Sequence, residues 1–197
     1  MSELSNWSRN RLLLALPSAD LQQLMPELEH IRCEREQVLM DADSPLDHVF
    51  FPDSGVISAV AVYSDGSIIE MATIGREGCA AVQTAFGAES SSARYLVQIP
   101  GSSAKMSRSA FTKAMRSIPL FQSLMNAYVQ AFLEQVLVSA ACNTPSSTQP
   151  LPPDCTSPAP MIALTMASHV SLQWVGSIHH WSYLSGRPEA QPDALSA

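Results

Sequence analysis

Val56-Ile-Ser-Ala-Val-Ala-Val-Tyr63, the turn Ser64-Asp-Gly-Ser67 and the return Ser67-Ile-Ile-Glu-Met-Ala-Thr-Ile74 form the stretch whose reading decides the fold. Runs rich in Val and Ile flank an Asp-Gly pair. Asp-Gly tolerates the positive φ of a tight hairpin turn, and β-branched runs suit a pleated strand, so the stretch predicts an antiparallel hairpin. Directly behind it comes a charged, glycine-bracketed turn, Gly75-Arg76-Glu77-Gly78, and then a small-residue run to Gly87. A further strand pair is predicted around Tyr95–Ile99 and Ser103–Ser107.

Towards the N-terminus the same texture continues. His48-Val-Phe-Phe51 is a short apolar strand stopped by Pro52-Asp53-Ser54-Gly55, Val38-Leu39-Met40 has strand character, and Asp41-Ala-Asp-Ser-Pro45 is a turn by composition. Short strands separated by such turns predict a small antiparallel barrel or sandwich. Ahead of them, Arg9–Leu16 reads as a short helix. Ser18 is a plausible N-cap for a second helix, with Asp20 in its first turn and Leu21, Leu24 and Leu28 on one face.

Towards the C-terminus the period changes from two to about 3.6. Arg108–Ser117 is predicted as a helix capped by Ser107 or Ser109, with Phe111, Ala114 and Met115 sharing a face and Pro119 ending it. Leu120–Ala141 is a long apolar pattern with Leu120, Leu124, Tyr128, Phe132, Val136 and, more loosely, Ser139 on one face and Phe121, Met125, Val129, Leu133 and Leu137 on the next. Glu134 is its one charge. A helix this apolar needs more cover than a small domain supplies, so the expectation is pairing with a second subunit through Leu124, Tyr128, Phe132 and Val136.

The totals bound the class. At 197 residues, 46% of them hydrophobic, the chain has room for one large domain or a medium and a small one. The net charge of -7 argues against an overall pull towards nucleic acid. No run approaches 18 apolar residues, and Met1-Ser-Glu-Leu-Ser-Asn lacks a basic segment feeding an apolar one, so no membrane association and a cytoplasmic location are expected. Cys33, Cys79, Cys142 and Cys155 are scattered and read as isolated thiols; no metal site is expected, and no catalytic motif appears. A break falls near Asn143: residues 144–197 hold one basic residue, Arg187, three acids and 8 of the 14 prolines. That stretch, opening on Thr144-Pro-Ser-Ser-Thr-Gln-Pro150, is expected to be disordered.

Asn10-Arg-Leu-Leu-Leu-Ala-Leu-Pro17, Asp47-His-Val-Phe-Phe-Pro52, Ser54-Gly55, Asp65-Gly66 and Thr73-Ile-Gly-Arg-Glu-Gly78, in this order, resemble the sensory half of Crp/Fnr-type bacterial transcription regulators. The resemblance runs from about Asn10 to Asn143. It implies an α+β fold: a cyclic-nucleotide-binding-like antiparallel β-roll with flanking helices over residues 1–118, and a long dimerisation helix over 119–143. It also implies a homodimer and, as partner, DNA. The family's winged helix-turn-helix would fall after Asn143, where one Arg is too few for phosphate contacts, so DNA binding by this chain is doubtful. The composition of 144–197 suggests an out-of-frame translation of such a domain, with a genuine disordered tail or a divergent partner-binding tail as the alternatives. The alternative to a DNA-binding regulator is a DNA-incompetent effector-binding or dimerisation module acting through mixed dimers with an intact relative.

The resemblance also implies a ligand site. A cyclic nucleotide would need a carboxylate for the ribose, free N–H groups for the phosphate and an Arg for its charge. Glu77 stands at the carboxylate position, Gly78 and Cys79 could open the phosphate-side helix, and Arg94 is the Arg of the following strand. The order Ser92-Ala93-Arg94-Tyr95 departs from the nucleotide-binding pattern, and a one-residue slide in a strand reverses the face. Three readings stay open: a cyclic nucleotide, another small effector, or turn and surface residues without a ligand.

Overall fold

The computed structural model describes residues 7–142, with side chains to residue 137. The expectations for residues 144–197 lie outside the described residues. In chain order the elements are α1 (Arg11–Leu14), α2 (Ser18–Leu24), a 3₁₀ turn (Met25–Glu27), β1 (Leu28–Cys33), β2 (Val38–Met40), β3 (His48–Val62) and β4 (Ile68–Ile74). A second 3₁₀ turn (Val82–Phe86), β5 (Ala93–Ser107), α3 (Arg108–Ser117) and α4 (Pro119–Cys142) follow. The sheet is antiparallel in the order β1-β5-β3-β4, with β2 also paired to β5. This is the expected α+β arrangement of an antiparallel roll framed by helices and followed by a long helix.

The opening hairpin forms as predicted. Ser67 O accepts from Tyr63 N at 2.9 Å, Gly66 takes φ +85°, and Asp65 Oδ1 accepts from the amide and hydroxyl of Ser67. Four local expectations need correction. Ser18 is the first residue of α2 rather than its cap, a position that falls on Pro17 without a side-chain capping bond. Pro52–Gly55 does not stop a strand: β3 runs on for 15 residues, because Gly55 at φ +78° absorbs the irregularity as a shift in register against β5. The two strands expected at 95–99 and 103–107 are likewise one 15-residue strand, β5, bent at Pro100-Gly101. Leu28 is not on the helix face of Leu21 and Leu24. Pro26 lacks an amide hydrogen, the helix tightens into the 3₁₀ turn, and Leu28 opens β1.

The long strands serve two cores. Val49, Phe51, Ala104 and Met106 pack with α1, α2, α3 and the first half of α4 around Leu12, Leu13, Phe111 and Phe121. Beyond the bends, Ile57, Ala59, Ala93 and Tyr95 close the interior of the roll with Leu46, Ile74, Ala80 and Ala81. Ser107 caps α3 by accepting from Ala110 N at 3.2 Å, and Ile118 alone separates α3 from α4, with the Phe111 and Phe121 rings edge to face at 5.5 Å. Among the described residues no helix is long and apolar enough to cross a membrane.

Candidate functional site at the roll–helix junction

The turn that follows the hairpin is held by its own residues and by two distant ones. Glu77 folds back over it: Oε1 accepts from Gly75 N at 3.0 Å, and a Cβ at Gly75 would come within 2.7 Å of the carboxylate. Arg76 O accepts from Arg11 N at 2.6 Å. Gly78 O accepts from Asn10 Nδ2 at 2.9 Å, and Cys79 O accepts from the Tyr128 hydroxyl at 3.1 Å. Gly78 is required here by closeness rather than by φ: an added Cβ would overlap the Tyr128 hydroxyl and stand 2.9 Å from its Cζ. The turn is therefore clamped between the first helix and α4.

Asn10 is fully buried and uses both ends of its side chain. Its Oδ1 caps α1 through Leu12 N and Leu13 N, while Nδ2 also donates to Pro52 O at 2.9 Å. Behind it, buried Asp53 accepts from Ser8 Oγ at 2.5 Å, from Arg9 N at 2.9 Å and from Asn10 N at 3.3 Å. His30 Nδ1 lies 3.1 Å from the other Asp53 oxygen, with the Trp7 ring edge-on at 4.7 Å. A buried carboxylate with this many partners fixes the N-terminal segment against β3, as buried polar groups must be satisfied.

Cys79 has no exposure, and burial pushes its thiol well above the ordinary value. Burial does the same to the Tyr128 hydroxyl. Among the described residues, no three His, Cys, Asp or Glu side chains are grouped to hold a metal.

Arg94 does not join Glu77, Gly78 and Cys79. Along β5, Ala93, Tyr95 and Val97 point into the roll, and Arg94 lies on the opposite face. It pairs with Asp41 at 2.7 Å, and that hydrogen bond holds the Asp41 carboxyl below its usual range. In register, Arg94 stands opposite Val60, three residues along β3 from Ile57, which pairs with Ile74 before the Glu77 turn. The interior that would receive a nucleotide is filled by Tyr95, whose hydroxyl donates to Gln83 Oε1 at 2.8 Å, and by Ile57, Ile74 and Leu46. Glu77 and Arg94 are each paired within the chain, Glu77 to Gly75 N and Arg94 to Asp41.

The face expected to meet a second subunit also lies differently. Tyr128 is 5% exposed and belongs to the core of its own chain, and Leu124 and Phe132 pack against the same core. Phe132 and Val136 cover the interior of the roll, and Gln135 Nε2 donates to Thr73 O at 3.3 Å. The physical reason is that β4 is an edge strand, and α4 lies over it. The apolar side chains left open on α4 are Leu120, Leu133 and Leu137, of which Leu133 and Leu137 belong to the neighbouring face.

Asn10, Asp53 and His30 were not singled out as site residues by their sequence context. They are 20 to 43 positions apart, beyond any periodicity, and no local pattern marks them.

No family model matches the chain, and no curated protein matches it. Solved structures do. The c-di-GMP-responsive global regulator CLP of Xanthomonas campestris superposes with TM-score 0.58 at 9% identity, covering 66% of this chain and 66% of that one. The sensor domain of the transcriptional regulator DNR from Pseudomonas aeruginosa gives 0.53 at 13%, covering 71% and 90%. The catabolite activator protein of Thermus thermophilus gives 0.56 at 12%, covering 66% and 61%. The chain spans slightly less than two thirds of the length of the first and the third of these. Likeness at this identity concerns architecture, and on that ground the described residues have the cyclic-nucleotide-binding-type fold of the sensor domains of Crp/Fnr-type regulators.

Proposed function

We propose that the chain is the sensory and dimerisation part of a Crp/Fnr-type transcription regulator, a regulatory protein rather than an enzyme. The observation that carries this is the junction itself. The turn at residues 75–79 is bonded to α4 through Tyr128 and to the N-terminal segment through Asn10, which gives a change in the roll a direct route to the long helix. The outer face of α4 supports the homodimer: Gln122, Asn126 and Gln130 are exposed without charge, and Leu133 and Leu137 are exposed apolar residues. An open Leu pair on a helix is the kind of surface a second copy covers.

The separate internal pairings of Glu77 and Arg94 speak against a cyclic nucleotide held between them. DNA is the expected partner of an intact regulator. The second reading, a DNA-incompetent module acting through mixed dimers, is favoured by the single basic residue in 144–197. The test has two arms. Sedimentation velocity on the full chain is expected to show a dimer that Leu133→Asp/Leu137→Asp converts to a monomer; a wild-type monomer at tens of micromolar would remove the dimer from the proposal. Mobility shift on the promoter region of its own gene decides between the readings: specific, salt-sensitive binding supports the DNA-binding regulator, and its absence supports the module.

A further inference from the structure

The outer face of α3 carries a groove of about 700 Å³ that the junction does not use. Arg108, Lys113 and Arg116 line it, and the hydroxyl-bearing Ser109, Thr112 and Ser117 stand between them. Asp47 is its acidic member, and none of its lining residues is apolar. Arg108, Thr112 and Arg116 are spaced i, i+4 and i+8, so successive turns stack them on one face, about 6 Å apart.

The cations are weakly engaged. Arg108 is 3.4 Å from Glu89, which is 87% exposed, and Lys113 is 3.9 Å from Glu27. Arg116 has no ion partner among the described residues. Single-contact pairs at the surface contribute little and yield to a better acceptor.

We propose that this groove is a binding site for a phosphate-bearing anion, with Arg108 and Arg116 as the guanidinium forks and Thr112 as a hydroxyl donor between them. Guanidinium forks match phosphate oxygens in pairs, and Ser and Thr hydroxyls are the usual companions in phosphate contacts. The volume falls within the roughly 300–1,000 Å³ of small-molecule clefts. Because Ile118 alone separates α3 from α4, occupancy would be felt one residue from the long helix, and only that consequence rests on the regulatory reading.

The test is calorimetric titration of the full chain with inorganic tripolyphosphate at low salt. Saturable binding near one site per chain is expected, weakened at least tenfold in Arg108→Gln/Arg116→Gln and within twofold of wild type in the control Arg32→Gln/Arg35→Gln. Thermal melts of both variants check that they fold. A duplex oligonucleotide of arbitrary sequence and hexaglutamate serve as competitors. Displacement of tripolyphosphate by the duplex at lower concentration supports the site with a polynucleotide backbone as the phosphate source; no displacement supports it with a free phosphate ester. Absent binding, equal weakening in the control, or hexaglutamate binding as well as tripolyphosphate overturns the proposal. None of these outcomes depends on dimerisation or on promoter binding.

Discussion

Gly78→Ala probes the junction directly. The added methyl has no backbone penalty to meet, because Gly78 is not among the residues at positive φ. All of the cost comes from Tyr128, whose hydroxyl it overlaps and whose Cζ lies at 2.9 Å. That ring is 5% exposed and sits beside Phe132 at 6.0 Å, so it cannot swing freely into solvent. Overpacking of this kind costs about 1–3 kcal/mol. A midpoint shift of roughly 2–4 °C per kcal/mol turns a central 2 kcal/mol into about 4–8 °C. Tyr128→Phe alone removes the donor to Cys79 O and costs about 1 kcal/mol. In the double variant the hydroxyl clash is gone, so the two costs should fall short of their sum by about 1 kcal/mol. Thermal and urea unfolding of the four proteins measure the cycle. A Gly78→Ala cost below about 0.5 kcal/mol, or strict additivity, would refute the claim that this turn is clamped by Tyr128.

Tyr128→Phe carries a pH signature as well. Burial raises the folded values of Tyr128 and Tyr95, so wild-type stability falls as pH rises past the ordinary tyrosine value of about 10, where the unfolded chain ionises first. Phe cannot ionise, so the gap between variant and wild type is expected to narrow above that pH in urea titrations; a constant gap contradicts it. On the acid side, Asp41 is depressed mainly by its bond to Arg94. Its contribution is present above the ordinary carboxylate value and lost as pH falls through the depressed one, so Arg94→Ala should flatten that limb of the stability–pH curve, and an unchanged limb would contradict the pairing. Ala81 holds φ +65° with its methyl buried. In Ala81→Gly the relief of about 1–2 kcal/mol offsets the lost methyl and the added chain entropy, so the change stays within about 0.5 kcal/mol. Ala80→Gly lacks the relief and should cost about 1–1.5 kcal/mol by chemical unfolding; equal effects at the two positions would deny the strain.

What the sequence showed and what it hid divide along range. The Asp65-Gly66 hairpin, the Ser107 cap and the helix from Arg108 to Ser117 are set by neighbours a few positions apart, and they appear where local chemistry placed them. The two long strands were read as four because Pro52, Gly55 and Gly101 are turn residues by composition. Against a partner strand the same residues make bends. The face of Tyr128 and Phe132 is apolar enough to need cover, but sequence cannot say who covers it, and its own chain does: the helical core takes Tyr128, and the interior of the roll takes Phe132. The side of β5 on which Arg94 stands depended on the length of an irregular loop, Phe86–Ser92, which only the folded register settles. Asn10 and Asp53 were invisible as a pair because their contact spans the whole first half of the roll.

The bends in β3 and β5 have a consequence for cooperativity. A Cβ at Gly55 would overlap Ile99 O, and one at Gly101 would overlap Ser54 O, so the two backbones cross in contact at one waist. On one side of it the strands belong to the helical core, and on the other to the interior of the roll. Opening one half leaves the ladder of the other intact, so native-state hydrogen exchange should resolve two blocks of differing stability that meet at this waist. Because Phe132 and Val136 of α4 pack on the roll side of the waist, loosening the roll would uncover the distal part of the long helix while the helical core still holds its first half.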